Sequence, residues 1–127
     1  MSLTPNRSLA MFATLSALTL AAFDASAALR VTCETRPDRS RASVDGSNLA
    51  SGNYSAMLVS GGNSAQSELK HTVGDEVEFD FDSNRRDIRQ GATPIGKHFI
   101  VGGQATGKLL DANGNTVASK TVTCRNR

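Results

Sequence analysis

From residue 29 onward, apolar and polar positions alternate with a period of two, and no segment sustains the 3.6-residue period of a helix. The clearest case is Glu76 to Asp82. Val77, Phe79 and Phe81 fall on one face, and Glu76, Glu78, Asp80 and Asp82 on the other. A one-residue slip would bury four carboxylates, so this strand has a firmly set register and anchors the core.

Other strands follow from the same alternation, punctuated by turn residues. Leu29 to Thr35 presents Leu29, Val31 and Cys33 on one side. It ends at Arg36-Pro37-Asp38-Arg39, where Pro37 has no N–H for a ladder. Arg41 to Val44 is a short strand ended by Asp45-Gly46. Tyr54 to Ser60 is apolar on both sets and reads as a central strand. After the turn signal Gly61-Gly62-Asn63, a strand is expected over Ser67 to Val73, with Leu69, His71 and Val73 on one side. Ser83 to Lys97 is a long irregular connection with one helical turn from Arg85 to Gln90. His98 to Val101 and Gln104 to Asp111 are strands. Ala112-Asn113-Gly114-Asn115 is a hairpin turn leading into Thr116 to Arg125. Seven or eight strands over this length predict an all-β fold, a small antiparallel immunoglobulin-like sandwich in the architectural sense. It lacks the buried Trp of antibody domains.

The first residues belong to a different problem. Met1 to Arg7 carries one positive charge, Ser8 to Phe23 is uncharged and rich in Ala and Leu, and Ala25-Ser26-Ala27 supplies small residues. That order is a secretory signal peptide over 1–27, leaving 28–127 as one domain. The apolar run is short for a membrane span and contains Thr14, Ser16 and Thr19. No second such run follows, so the mature chain is expected to lack a membrane span. Export places the protein in the periplasm or outside the cell. There the two cysteines, Cys33 and Cys124, can pair and close almost the whole mature chain. On the chain-entropy model such a closure is worth up to about 4–5 kcal/mol. That matters for a domain whose aromatics are only Tyr54, Phe79, Phe81 and Phe99.

Charge excludes some partners. The chain has 14 Lys+Arg and 12 Asp+Glu; losing Arg7 and Asp24 with the signal leaves the balance at +2. Nucleic-acid binding calls for a larger excess or interleaved exposed aromatics, so none is expected. The arginines are nevertheless clustered: Arg36, Arg39 and Arg41 in one segment, Arg85, Arg86 and Arg89 in another. The planar fork of Arg suits carboxylate or phosphate, so these clusters are the candidate grip on an anionic protein or cell-envelope surface. They could equally neutralise the acidic strand.

Catalytic parts are scarce. There is no G-x-S-x-G, and both thiols are assigned to a bridge. The alternating acids have about the separation of an inverting glycosidase pair, but few aromatics remain to hold a sugar. His71 and His98 have no evident third ligand. No enzyme activity and no cofactor are expected. One cation site merits consideration: Asp80-Phe81-Asp82-Ser83-Asn84 has acids and an amide in D-x-D-x-N order, and Asp87 could add a ligand for calcium. Arg85 and Gly91 stand where an EF-hand needs Gly and Glu. The function expected is an exported non-catalytic binding or envelope-structural module. Alternatives are a small calcium-binding protein and a proteinaceous inhibitor of a secreted enzyme, inserting the Ser83–Lys97 stretch.

Overall fold

A computed structural model describes residues 27–127; the signal-peptide reading falls on residues that, Ala27 apart, lie outside those described. The described chain is mostly β, arranged as two sheets in a sandwich-like fold. Its strands are β1 (Ala28–Arg36), β2 (Arg39–Ser47), β3 (Asn53–Ser60), β4 (Asn63–Gln66), β5 (Lys70–His71), β6 (Val77–Asp82), β7 (Thr93–Pro94), β8 (Gln104–Asp111), β9 (Thr116–Thr123) and β10 (Arg125–Asn126). A single short helix among the described residues, α1 (Arg85–Arg89), lies between β6 and β7. One sheet has the order β10-β1-β2-β6-β7. The other runs β4-β3-β8-β9, with β5 also pairing to β3.

Period-two alternation builds the core from both sheets. Val31, Cys33, Ala42, Val44, Val77, Phe79 and Phe81 point in from the first sheet. Tyr54, Ala56, Leu58, Ala105 and Leu109 meet them from the second. The anchoring role expected of β6 is seen: Phe79 and Phe81 are 2% and 1% exposed. At one place the sheets approach so closely that no side chain fits. A Cβ on Gly107 of β8 would lie 2.7 Å from Val31 Cγ2 and 2.9 Å from Val44 Cγ2.

The last strand changes sheets. β9 pairs with β8 in the second sheet, and the chain then crosses at Cys124 so that β10 pairs in parallel with β1. Cys124 is bonded to Cys33 at this crossing, with Cα atoms 4.7 Å apart and 91 positions between them in sequence. The expected tie between first and last strands is therefore present, and it also joins the two sheets.

Three strand expectations fail. β2 does not stop at Asp45-Gly46: both residues pair with β1 and β6, and the strand runs to Ser47. Over Ser67 to Val73 only Lys70 and His71 pair as a strand, while the partner of β3 begins earlier, at Asn63. Leu69 and Val73 are 56% and 84% exposed, and the buried residue is Thr72. The cause is hydrogen bonding. Thr72 N–H donates to Gly52 O, and Gly52 N–H donates back to the Thr72 hydroxyl, so a short polar side chain takes the inward seat. His98 to Val101 forms no strand beyond a single bridge from Val101 to Gln104. It is held instead by side chains: Ser40 Oγ accepts from Ile100 N–H, Ser60 Oγ accepts from Val101 N–H, and Asn63 donates to Phe99 O.

Candidate functional site

The arginine-rich helix α1 follows directly on the acidic strand β6. Its start is set locally. Asn84 is extended (φ −80°, ψ 128°), and its side-chain oxygen accepts from the Arg86 and Asp87 N–H groups at 2.9 and 3.4 Å. Its end is set by Gln90, whose N–H bonds to Arg86 O and Asp87 O, and by Gly91 at φ 113°, a conformation that favours glycine. Five residues would not hold a helix alone in water. Tertiary bonds supply the rest.

The chief of these comes from Arg39, on β2. Its Nε donates to Asp82 Oδ1 at 2.9 Å and its Nη2 to Asp82 Oδ2 at 2.7 Å. The same Nη2 donates to Asp87 Oδ2 on α1 at 3.0 Å. Asn84 N–H adds a bond to Asp82 Oδ1 at 2.9 Å. Ser40, fully buried, ties the segment again. It exchanges bonds with Ser83, and its hydroxyl donates to Lys97 O. The stretch considered above as an inserting loop is thus pinned to β2 near both ends.

Asp82 departs from the simple alternation picture. Its register places it on the outer face with Arg41, yet it is 4% exposed. Arg39 and the Asn84 turn cover it from outside. Burial pushes its carboxyl up, but the Arg39 and Asn84 hydrogen bonds and the nearby arginine charges outweigh that, and the net shift is downward. The Arg39 guanidinium is held further on its charged side by the Asp82 hydrogen bonds, against a smaller opposing effect of burial.

The other arginines of the two clusters are placed differently. Arg36 donates to Glu34 at 2.8 Å, and Arg127 lies 3.9 Å from the same carboxylate. The Arg36 hydrogen bond is the main reason that Glu34 sits below its usual value. Arg41 is exposed and acts on Glu34 and Asp82 through its charge. Arg85, Arg86 and Arg89 are all exposed, and none is among the ion pairs of the described residues. Arg89 is four residues from Arg85 and three from Arg86, so the three side chains leave one side of α1 as a ridge.

Beside the ridge, the outer face of the first sheet is concave, with a volume of about 810 Å³. Its floor carries Thr32 and Ser43, whose hydroxyls are hydrogen-bonded at 2.7 Å, together with the exposed Asp80. Glu34, Arg41, Asp87 and Arg125 stand around it. The four residues considered for calcium are placed as follows. Asp80 lies on this floor. Asp82 spends both oxygens on Arg39. Asn84 caps α1, and Asp87 faces Arg39. A guanidinium thus lies between Asp82 and Asp87. Among the described residues no group of three or more His, Cys, Asp or Glu could hold a metal ion. His71 Nδ1 lies 3.0 Å from Asn53 Oδ1, on an exposed strand away from His98 in sequence.

The Arg39–Asp82 pair and the Ser40 hub were not singled out from the sequence. Pairing of the arginine clusters with the acidic strand was an open alternative in the sequence, but the sequence did not say which arginine meets which acid. Ser40 carried no signal. Comparison with protein-family models and with curated proteins finds no match. Among the described residues no helix is long and apolar enough to cross a membrane.

Proposed function

We propose that the protein is an exported, non-catalytic binding module that grips an anionic surface of a partner in the cell envelope through Arg85, Arg86 and Arg89. The observation carrying this reading is that these three arginines stand exposed and outside the ion pairs of the described residues, on a helix clamped to the first sheet by Arg39, which takes the adjacent Asp82 and Asp87. The clamped helix backbone fixes where the three guanidinium forks start, and each planar fork can take a carboxylate by two hydrogen bonds. Export through a cleaved signal over 1–27 to the periplasm or the outside supports the same reading, and the Cys33–Cys124 bond is compatible with that oxidising route. The architecture is immunoglobulin-like in the loose sense of two packed sheets that present loops for binding.

Retention on immobilised poly-glutamate tests the assignment. The wild-type chain is expected to bind at low salt and elute as salt rises. Arg85→Gln/Arg86→Gln/Arg89→Gln should not bind. A charge-matched control, Lys97→Gln/Lys108→Gln/Lys120→Gln, should bind as wild type. Equal retention of both variants would assign binding to net charge and overturn the reading.

A further inference from the structure

The ridge has a counterpart on the same molecule. Glu78 and Asp80 are exposed on β6, with Asp75 and Glu76, also exposed, just before the strand and Asp45 directly opposite Glu78 on β2. None of these five carboxylates is among the ion pairs of the described residues. Three cations lie near the group. Arg41 on β2 lines the same concavity as Asp80. Arg30 lies opposite Asp45 on β1, and Lys70 donates to Glu78 O at 2.7 Å with its ammonium 5.4 Å from the Phe79 ring. Three against five still leaves a net acidic strip. The crowding is felt within the fold: burial and then the Glu78 and Asp80 charges raise the Asp45 carboxyl above its ordinary range.

The strip begins at the far end of β6 from α1 and reaches Asp80, which lines the same concavity as Asp87 of α1. Glu78 is four residues, about 13 Å, from Asp82, and α1 begins three residues beyond. Their spacings differ: the three arginines sit within one turn of α1, whereas the three carboxylates run along five residues of extended chain. Alternate carboxylates on a strand recur at about 6.5–7 Å. Side chains one helical turn apart recur at about 5–6 Å. The ridge is positive and the strip net negative, and no ion pair among the described residues joins them within one molecule.

We propose that the chain associates head to tail with further copies of itself, the Arg85, Arg86 and Arg89 ridge of one copy seating on the Glu76, Glu78 and Asp80 strip of the next. This rests on the reading of α1 as a binding ridge and names its partner as a second copy. The two patches differ, so the contact is heterologous: each added copy leaves a free ridge and a free strip, and the assembly does not stop at a pair. Salt weakens it, because both rows are exposed.

Sedimentation of the mature, disulfide-bonded protein tests this with two variants. One has the ridge reversed (Arg85→Glu/Arg86→Glu/Arg89→Glu), the other the strip reversed (Glu76→Lys/Glu78→Lys/Asp80→Lys). All six positions are exposed, and far-ultraviolet circular dichroism checks that each variant folds. The milder Arg→Gln and acid→amide sets serve for any that does not. In low salt the wild type should rise past twice the monomer mass with concentration and return to monomer in high salt. Each variant alone should stay monomeric, and an equimolar mixture of the reversed variants should regain association. A wild type monomeric throughout would overturn the proposal, as would variants that associate like wild type or a mixture that stays monomeric. Poly-glutamate retention that survives any of these outcomes would leave the binding ridge standing and remove only the second copy as its partner.

Discussion

Arg39 and Asp82 are joined by two near-parallel hydrogen bonds of 2.9 and 2.7 Å, with the Asp82 side chain only 6% exposed. The pair spans 43 positions of sequence and fixes α1 to the first sheet. A fork-to-fork bond of this kind restricts orientation as well as distance, so the direction in which Arg85, Arg86 and Arg89 project depends on it.

Asp82→Asn should therefore cost stability, about 2–3 kcal/mol. That is below the ~3–5 kcal/mol of a fully buried broken pair, because Arg39 keeps some access to water. The pH dependence has a definite sign. The folded Asp82 carboxyl lies below its ordinary value, so its contribution is present above about pH 4 and is lost as pH falls through the depressed value. Urea midpoints at neutral and acid pH check this: the gap between wild type and Asp82→Asn should close in acid.

Asp45 should behave in the opposite sense. Its carboxyl is raised by burial and by Glu78 and Asp80, so the folded state disfavours its charge. Asp45→Asn is expected to stabilise the protein at neutral pH by a few tenths of a kcal/mol, the scale of an unfavourable cross-strand pair. The gain should vanish as pH falls through the Asp45 pKa. A loss of stability at neutral pH would show that Arg30 matters more to Asp45 than its acidic neighbours do.

Reduction of Cys33–Cys124 should lower the melting temperature sharply. The bond closes nearly the whole domain, and about 4–5 kcal/mol is the chain-entropy ceiling. Cys33→Ala/Cys124→Ala should lose a comparable amount and become insensitive to reductant. Hydrogen exchange should show β10 leaving β1 first, since this short strand depends on the crossing.

Gly107→Ala should destabilise by about 1–3 kcal/mol, because the new methyl meets Val31 and Val44, whose branched side chains have little rotamer freedom. Gly62→Ala, with open space around it and no left-handed backbone, is the matched control. Thermal melts of the two variants should differ by several degrees.

Much of the molecule could be read locally. The faces of β6, the hairpin at Asn113-Gly114, the one-turn helix after Asn84 and the pairing of the two cysteines all appear where the residues suggest. A strand has a period of two, and turn and cap residues act within a few positions. Residues 67–73 depart from the expected strand because the deciding bonds come from Gly52, just before β3, and from Ala56 on it.

From the residues alone came the β class, the export signal as an expectation, the disulfide, and the presence of two charged sets. Only the tertiary structure decided which of those charges cancel. Arg39, not the helix arginines, reaches Asp82 and Asp87, and that leaves Arg85, Arg86 and Arg89 free on one side. The physical reason is distance. Alternation says which way a side chain leaves its strand, but burial and ion pairing depend on what the rest of the chain lays over it.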